Sequence, residues 1–178
     1  VDRNGFKIFL DLKFHDIPNT VYETILGFED CPIDMLTIHL SGGKDMILRS
    51  IEAGKRINTK IIGVSVLTSL NDSDAEEIFQ NTVNDQVARL FHLAGNIGLD
   101  GIVCSPQELD LASKILSPEV LKITPGIRES ISNDDQARTM SAKEAIQNGS
   151  SYLVIGRPIS NATNIAAALD YFSKSINE

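Results

Sequence analysis

Short apolar segments recur along the chain and alternate with segments of helical periodicity. A continuous apolar run of about four to eight residues is typical of a strand buried on both faces, whereas apolar residues three and four positions apart mark one face of a helix. Six such runs predict strands, at residues 7–12, 35–40, 61–67, 101–104, 121–124 and 152–156. Because the two patterns alternate, the sequence predicts a parallel α/β protein. The pattern alone fits both an open doubly wound sheet and a (β/α)8 barrel.

Capping residues mark where the helices start and end. The first helix is expected after Pro18, with Val21, Ile25 and Leu26 on one face. A serine followed three residues later by a glutamate forms a capping box, which satisfies backbone N–H groups at a helix start. Such pairs stand at Ser73 and Glu76, at Ser105 and Glu108, and at Ser141 and Glu144. We also expect helices at residues 74–79, 83–94 and 163–173, and helix ends at Gly54 and Gly149.

Length, composition and charge restrict the class of protein. The chain has 178 residues, 42% of them hydrophobic, with no shift in composition along its length, so residues 1–178 are expected to form a single domain. The formal net charge of −8 and the lack of a basic stripe argue against a nucleic-acid partner. No apolar run approaches the roughly 18 residues of a membrane helix. Cys31 and Cys104 lie far apart, as expected for free thiols in a reducing compartment, so we expect a cytoplasmic enzyme.

Charged residues gather where the first predicted strand ends and the first helix begins. Side chains alternate between the faces of a strand, so Asp11 and Lys13 should share one face, while Leu10 and Leu12 should point to the other, toward the helices. Charges on the interior face of a sheet are costly unless they are paired or used in chemistry. One interpretation is that Asp11 and Lys13 form a buried structural ion pair with no role in catalysis or binding. The addition of Asp16 favours a functional cluster, because α/β proteins place their chemistry at strand ends.

Glycine–arginine motifs end the last two predicted strands. The first motif reads Thr-Pro-Gly-Ile-Arg and ends at Arg128, and the second contains Gly156 and Arg157. Glycine lets a backbone N–H approach a phosphate, and arginine binds phosphate through a charged fork of donors. A phosphate site built from the last two strand–helix loops is a recurrent feature of barrels. The two motifs therefore favour a (β/α)8 barrel and a phosphate-bearing ligand.

The stretch from Ile8 to Thr20 resembles the signature of the orotidine 5′-phosphate decarboxylases, apolar-apolar-x-Asp-x-Lys-x-x-Asp-Ile-x-x-Thr. The two glycine–arginine motifs also resemble strand ends of that family, and the likeness covers nearly the whole chain. It implies a (β/α)8 TIM barrel of which about six of the eight units lie in this chain. The family's first two units, which carry a ribose-binding aspartate and the lysine of a Lys-Val-Gly segment, have no counterpart in residues 1–178. The domain is therefore expected to be N-terminally incomplete.

The resemblance also implies an activity, the decarboxylation of orotidine 5′-phosphate to uridine 5′-phosphate in pyrimidine biosynthesis, without a metal or an organic cofactor. Lys13 would be the acid that protonates the pyrimidine, with Asp11 beside the departing carboxylate. A homodimer is implied, in which Asp16 and Thr20 reach across the interface. The residues implied to bind the substrate are Thr68, Pro125, Arg128, Gln136, Gly156 and Arg157.

Two other functions remain open at this point. One is a Mg²⁺-dependent sugar-phosphate lyase or synthase of the same superfamily, although the Ile-Pro-Asn-Thr segment that ends at Thr20 argues against it. The other is a catalytically silent phosphate-binding protein, because the second lysine and the ribose-binding aspartate are not in the chain. Whichever function applies, we expect six strands curved as in a barrel with a gap for two more, because six parallel strands cannot close an eight-strand barrel. His39 is expected to be a packed histidine, and His15 a structural or interface residue.

Overall fold

The computed structural model describes residues 5–128 and 139–177. Six strands and eight α-helices lie in these residues, together with short 3₁₀ helices at Leu40–Gly42 and Pro106–Glu108. The strands are β1 (Phe9–Phe14), β2 (Met35–His39), β3 (Lys60–Val64), β4 (Gly101–Val103), β5 (Leu121–Thr124) and β6 (Tyr152–Leu153). The helices are α1 (Pro18–Leu26), α2 (Lys44–Arg56), α3 (Asp72–Phe79), α4 (Val83–Ile97), α5 (Leu109–Ile115), α6 (Ala142–Gln147), α7 (Arg157–Ser160) and α8 (Ile165–Asn177).

The six strands form one parallel sheet whose spatial order follows the chain, from β1 to β6. This order is that of a (β/α) barrel, in which each strand pairs with the next one in sequence. Among the described residues β1 and β6 are the two edges of the sheet and do not pair with each other. The expectation of six parallel strands in an unclosed barrel is therefore confirmed.

Apolar side chains fill both sides of the sheet. Met35, Ile62 and Ile123 form a small buried cluster on one face, which corresponds to the barrel interior. The larger cluster lies on the other face, where residues such as Leu36 and Ile61 pack against the helices. Burial on both faces explains why the central strands are near-continuous apolar runs. Because all the strands are parallel, the carboxyl ends of all six lie at one rim, where the charged and glycine-rich segments follow.

The capping boxes were predicted correctly at two of three helix starts. Ser105 and Ser141 each cap a helical segment with the glutamate three residues later. The box expected at Ser73 is wrong, because α3 begins two residues earlier, after Asn71. The Asn71 side chain accepts from the N–H of Asp74 at 3.0 Å, and the Asp74 carboxylate accepts from the N–H of Asn71 at 3.1 Å. This reciprocal pair satisfies the same N–H groups that a serine box would satisfy.

The helix end expected at Gly54 is also wrong, since α2 continues to Arg56. Gly54 instead lies against β3. A Cβ atom at this position would lie 2.7 Å from Ile61 Cγ1 and 2.7 Å from the Thr59 carbonyl oxygen. Glycine is needed here for the close approach of helix and strand and not for a helix end. At the other end of the chain, α8 begins at Ile165 and is preceded by α7, a short helix that the sequence pattern did not indicate.

Candidate active site

A pocket of about 240 Å³ opens at the carboxyl ends of the strands. Its walls include Asp11 and Lys13 from β1, Thr68 from the loop after β3, and Pro125 from the loop after β5. Four residues that the sequence predicted for one site, drawn from three different strand ends, therefore lie together. The remaining walls are mainly apolar, as is usual for pockets that hold small organic molecules.

Asp11 and Lys13 form an ion pair in which Lys13 Nζ lies 2.6 Å from Asp11 Oδ2. Both side chains line the pocket, so the prediction that they share one face is confirmed. The side chains are 36% exposed for Lys13 and 45% exposed for Asp11. An ion pair this exposed contributes only about 0–1 kcal/mol to stability. Its importance is that it holds an ammonium and a carboxylate at one wall of the pocket.

A third residue, Thr37 of β2, holds both members of this pair. Its hydroxyl donates to Asp11 Oδ1 at 2.9 Å and accepts from the backbone N–H of Lys13 at 2.8 Å. Thr37 is fully buried. The sequence analysis did not single it out, although one signal was present: Thr37 is the polar residue within the otherwise apolar run between Met35 and Ile38.

Strand β1 is irregular next to this threonine. Leu10 pairs with Leu36 and Phe14 pairs with Ile38, so four steps along β1 match two steps along β2. Lys13 lies in this bulge with φ of +53°, a left-handed conformation that costs a non-glycine residue about 1–2 kcal/mol. Bulges that redirect a side chain are common next to active sites. Here the bulge places the lysine beside Asp11 at the rim.

The bulge also explains why one strand prediction is wrong. Leu10 packs against the helix-side core as expected, but Leu12 is 48% exposed. The expectation that both leucines point toward the helices assumed regular alternation along β1. The register shift begins after Leu10 and interrupts that alternation.

Two histidines lie beside the ion pair. The rings of His15 and His39 are 5.4 Å apart between centroids. Burial of His39 lowers the pKa of its imidazole below the ordinary value, and the nearby His15 and Lys13 lower the pKa further. His39 is half-buried at the end of β2 and His15 is exposed, so His39 is a packed histidine, as the sequence suggested.

The glycine–arginine motifs occupy the rim next to the pocket. Gly126, in the loop after β5, has φ of +76°, a conformation that glycine adopts readily. Arg128 follows and donates from Nη1 to the carbonyl of Ile127 at 2.8 Å. Gly156 precedes α7, which begins at Arg157. These residues lie at the ends of β5 and β6 but do not line the pocket itself, and Gln136 lies outside the described residues.

Asp16 and Thr20 do not line the pocket of their own chain. Both are exposed, Asp16 in the turn after β1 and Thr20 on α1. Asp16 Oδ1 accepts from the N–H of Ile17 at 2.6 Å, and the Thr20 carbonyl accepts from the hydroxyl of Thr24 at 2.7 Å. The fold therefore leaves both side chains on the surface.

The two cysteines differ in burial. Cys31 is exposed and Cys104 is buried, and neither forms a disulfide. Burial raises the pKa of the Cys104 thiol, which stays neutral in the wall of the pocket.

Within residues 5–128 and 139–177, no three His, Cys, Asp or Glu side chains are grouped so that they could hold a metal ion. In the same residues, no helix has both the length and the apolar character needed to cross a membrane.

Comparison with known proteins identifies relatives of this site and fold. Residues 1–172 match the model of the "Orotidine 5′-phosphate decarboxylase / HUMPS family". A protein of Neisseria meningitidis serogroup B named orotidine 5′-phosphate decarboxylase is 44% identical over 178 residues, which are 97% of this chain and 72% of that protein. One of the same name from Vibrio parahaemolyticus is 46% identical over 181 residues, 99% of this chain and 76% of that protein.

Solved structures show the same likeness. The crystal structure of orotidine 5′-phosphate decarboxylase from Lactobacillus acidophilus has a TM-score of 0.84 and 35% sequence identity, and the match covers 98% of this chain and 77% of that one. An uncharacterized conserved protein from Geobacillus kaustophilus has a TM-score of 0.81 and 28% identity. The described sheet is therefore the greater part of a TIM barrel, as the sequence predicted.

Proposed function

The chain belongs to the orotidine 5′-phosphate decarboxylase / HUMPS family, and on that premise we propose which of its residues carry the reaction. The reaction is the decarboxylation of orotidine 5′-phosphate to uridine 5′-phosphate in pyrimidine biosynthesis. The proposal rests on one observation, the ion pair of Asp11 and Lys13 at 2.6 Å in the wall of the pocket. The relatives from Neisseria meningitidis, Vibrio parahaemolyticus and Lactobacillus acidophilus carry the decarboxylase name, so a Mg²⁺-dependent lyase or a silent binding protein is not favoured.

Lys13 supplies the chemistry that the reaction needs. When CO₂ leaves, the bond between pyrimidine C6 and the carboxylate breaks, and its electron pair remains on C6. A fixed ammonium stabilises that developing charge, because preorganised charges in a pocket need not reorganise during the reaction. The proton then passes from Lys13 Nζ to C6, and Lys13 regains a proton from solvent. Asp11 holds the ammonium in place and lies beside the departing carboxylate.

The phosphate and the pyrimidine are assigned to different parts of the rim. Arg157 and the N–H of Gly156 bind the phosphate, with Arg128 on the neighbouring loop. Thr68 and Pro125 border the pyrimidine, which is supported by their place in the wall of the pocket. Separating the groups in this way lets binding energy at the phosphate lower the activation barrier at the reacting carbon.

Turnover is to be measured in the completed chain, a fusion in which the first two strand–helix units of the Neisseria meningitidis relative precede residues 5–178. It should convert orotidine 5′-phosphate to uridine 5′-phosphate, as followed by the loss of pyrimidine absorbance. Residues 1–178 by themselves should not, because they lack the second lysine and the ribose-binding aspartate that the family resemblance implies. Activity of the completed chain should survive EDTA. A strict requirement for Mg²⁺ would instead support the lyase or synthase.

Arg157→Ala in the completed chain should weaken the binding of uridine 5′-phosphate by about 1.5–3 kcal/mol, the usual contribution of a hydrogen bond to a charged group. Calorimetric titration measures this change. Uridine, which has no phosphate, should bind the variant and the parent alike. Equal losses for both ligands would assign Arg157 to the fold rather than to the phosphate.

A homodimer completes the proposed site. Asp16 and Thr20 are exposed and do not line their own pocket, so the proposal places them in the pocket of a second copy. Two-fold dimers exchange equivalent contacts, so both pockets would be completed at once.

Mixing two inactive variants tests this exchange. Lys13→Ala and Asp16→Asn should each abolish turnover in the completed chain. After subunit exchange, half of the dimers are hybrids with one intact pocket, and about a quarter of the parent activity should return. If mixing restored nothing, Asp16 would not act across an interface.

We also propose a cytoplasmic location. Two unpaired thiols, one of them buried, are typical of a reducing compartment. The proposed reaction uses a small nucleotide and involves no organic cofactor, nucleic acid or membrane.

A further inference from the structure

We infer that Thr37 is a positioning residue for the decarboxylation, fixing both Asp11 and Lys13 without touching the substrate. The inference rests on the proposed function of that pair. It goes beyond it by naming what keeps the ammonium and the carboxylate in their places.

The hydroxyl of Thr37 makes two hydrogen bonds, one as donor and one as acceptor. A threonine hydroxyl offers one donor and two acceptor positions. The donor goes to Asp11 Oδ1, while Asp11 Oδ2 receives the ammonium of Lys13. Each oxygen of the carboxylate therefore has its own partner, and the carboxylate plane is held between β2 and the lysine.

The acceptor side of the same hydroxyl holds the backbone. Backbone groups alternate sides along a strand, and the carbonyl of Ile8 already accepts from the N–H of Met35, so in a regular β1 the N–H of Lys13 would face away from β2; the register shift changes this. The N–H instead donates to Thr37 Oγ1 at 2.8 Å. This bond lies at the one residue of β1 that has a positive φ, so it helps to hold the bulge that aims Lys13.

Burial makes the hydroxyl hard to replace. Thr37 has no exposed surface, so water does not reach its hydroxyl. Valine has the same shape without the oxygen, and Thr37→Val would leave the Lys13 N–H and one carboxylate oxygen without their partner. Serine keeps the oxygen and loses only a methyl group.

The kinetic test compares these two variants in the completed chain. Thr37→Val should lower kcat by about tenfold to hundredfold, the range for loss of a hydrogen bond to a charged group. KM for orotidine 5′-phosphate should change less than threefold, because phosphate and pyrimidine contacts are untouched. Thr37→Ser should restore kcat to within about threefold of the parent.

Thr59→Val is the matched control. Thr59 is also a buried threonine, and its hydroxyl donates across elements to the carbonyl of Ile33 at 2.8 Å, just before β3 and away from the pocket. It should lower stability like Thr37→Val and leave kcat unchanged. If the two valine variants had equal effects on kcat, Thr37 would be an ordinary buried residue and the inference would be wrong.

Amide hydrogen exchange separates this inference from the proposed function. The N–H of Lys13 should be protected in the parent and should exchange at least tenfold faster in Thr37→Val, with other β1 amides little changed. Turnover by the parent tests the decarboxylase itself. An active parent whose Thr37→Val variant keeps full kcat refutes the positioning role, whereas an inactive parent with the expected exchange pattern refutes the function and leaves the contact in place.

Discussion

Strands β1 and β3 are of similar length and lie two positions apart in the same sheet, but they differ in regularity and content. β3 pairs with β2 over five residues without a shift, and four of its five residues are buried. β1 pairs with β2 through a bulge, has no fully buried residue and carries the ion pair of Asp11 and Lys13. Charges on the buried faces of a regular ladder are costly unless they are paired or used in chemistry. The chemistry therefore lies where the ladder is interrupted, and the regular strand supports it from within.

The largest effect should follow from changing the irregular strand. Lys13→Ala in the completed chain should lower kcat by at least about a thousandfold, because it removes both the proton donor and the charge that stabilises the carbanion. Binding of uridine 5′-phosphate should remain within about tenfold, since Lys13 does not contact the phosphate in the proposed site. Turnover within tenfold of the parent would show that Lys13 is not the acid.

The matching change in the regular strand should act on stability instead. Ile61→Ala should lower the free energy of unfolding by about 2–5 kcal/mol, because Ile61 is fully buried and its truncation leaves a cavity. Under conditions where the variant stays folded, kcat should be that of the parent. Urea unfolding and steady-state kinetics on the same preparation separate the two quantities. A large fall in kcat would mean that β3 does more than support the site.

A smaller effect should appear at the junction of the two regions, where His39 ends β2. The folded protein holds the pKa of His39 below its unfolded value through burial, with smaller contributions from His15 and Lys13 and an opposing one from Asp11. Its contribution to stability is therefore complete above about pH 6.5 and is lost as pH falls through the lowered pKa. Between pH 7 and pH 5, the free energy of unfolding should fall less in His39→Gln than in the parent. Equal slopes would show that His39 does not titrate differently in the two states.

The smallest effect sharpens the contrast between two strand residues of similar size. Leu12→Ala in residues 1–178 should change the free energy of unfolding by less than about 0.5 kcal/mol, because about half of that residue is exposed and it is not part of the buried core. Ile61→Ala is the comparison. A loss as large as that of Ile61→Ala would show that another segment or a second copy covers Leu12 in solution.

The regular part of the molecule could be predicted from the sequence, because its patterns depend on local chemistry. The apolar run at β5 marks its four residues, and the boxes at Ser105 and Ser141 depend on residues three positions apart. The box expected at Ser73 failed because Asn71 and Asp74 can make the same reciprocal contacts, and the sequence does not rank the two alternatives.

For the irregular part of the site, the sequence predicted which charged residues take part but not how they are held in place. Asp11 and Lys13 could be placed on one face from strand alternation, but the bulge that exposes Leu12 depends on how β1 pairs with β2. Thr37 lies 26 residues from Asp11 and becomes its partner only when the two strands are adjacent. Contacts of this kind follow from tertiary structure, so periodicity along one strand does not indicate them.

The order of strands in the sheet has a consequence for how this protein can be rearranged. Each strand pairs only with its neighbours in sequence, and β1 and β6 border the same opening. Two further strand–helix units that fill this opening would touch both edges, so the ring has no preferred starting point. A circular permutant that carries these units after residue 177 would give every strand the same neighbours as units placed before Gly5. The position of each unit is thus defined around the ring, and the chain can be cut and rejoined between units without changing which strand ends meet at the site.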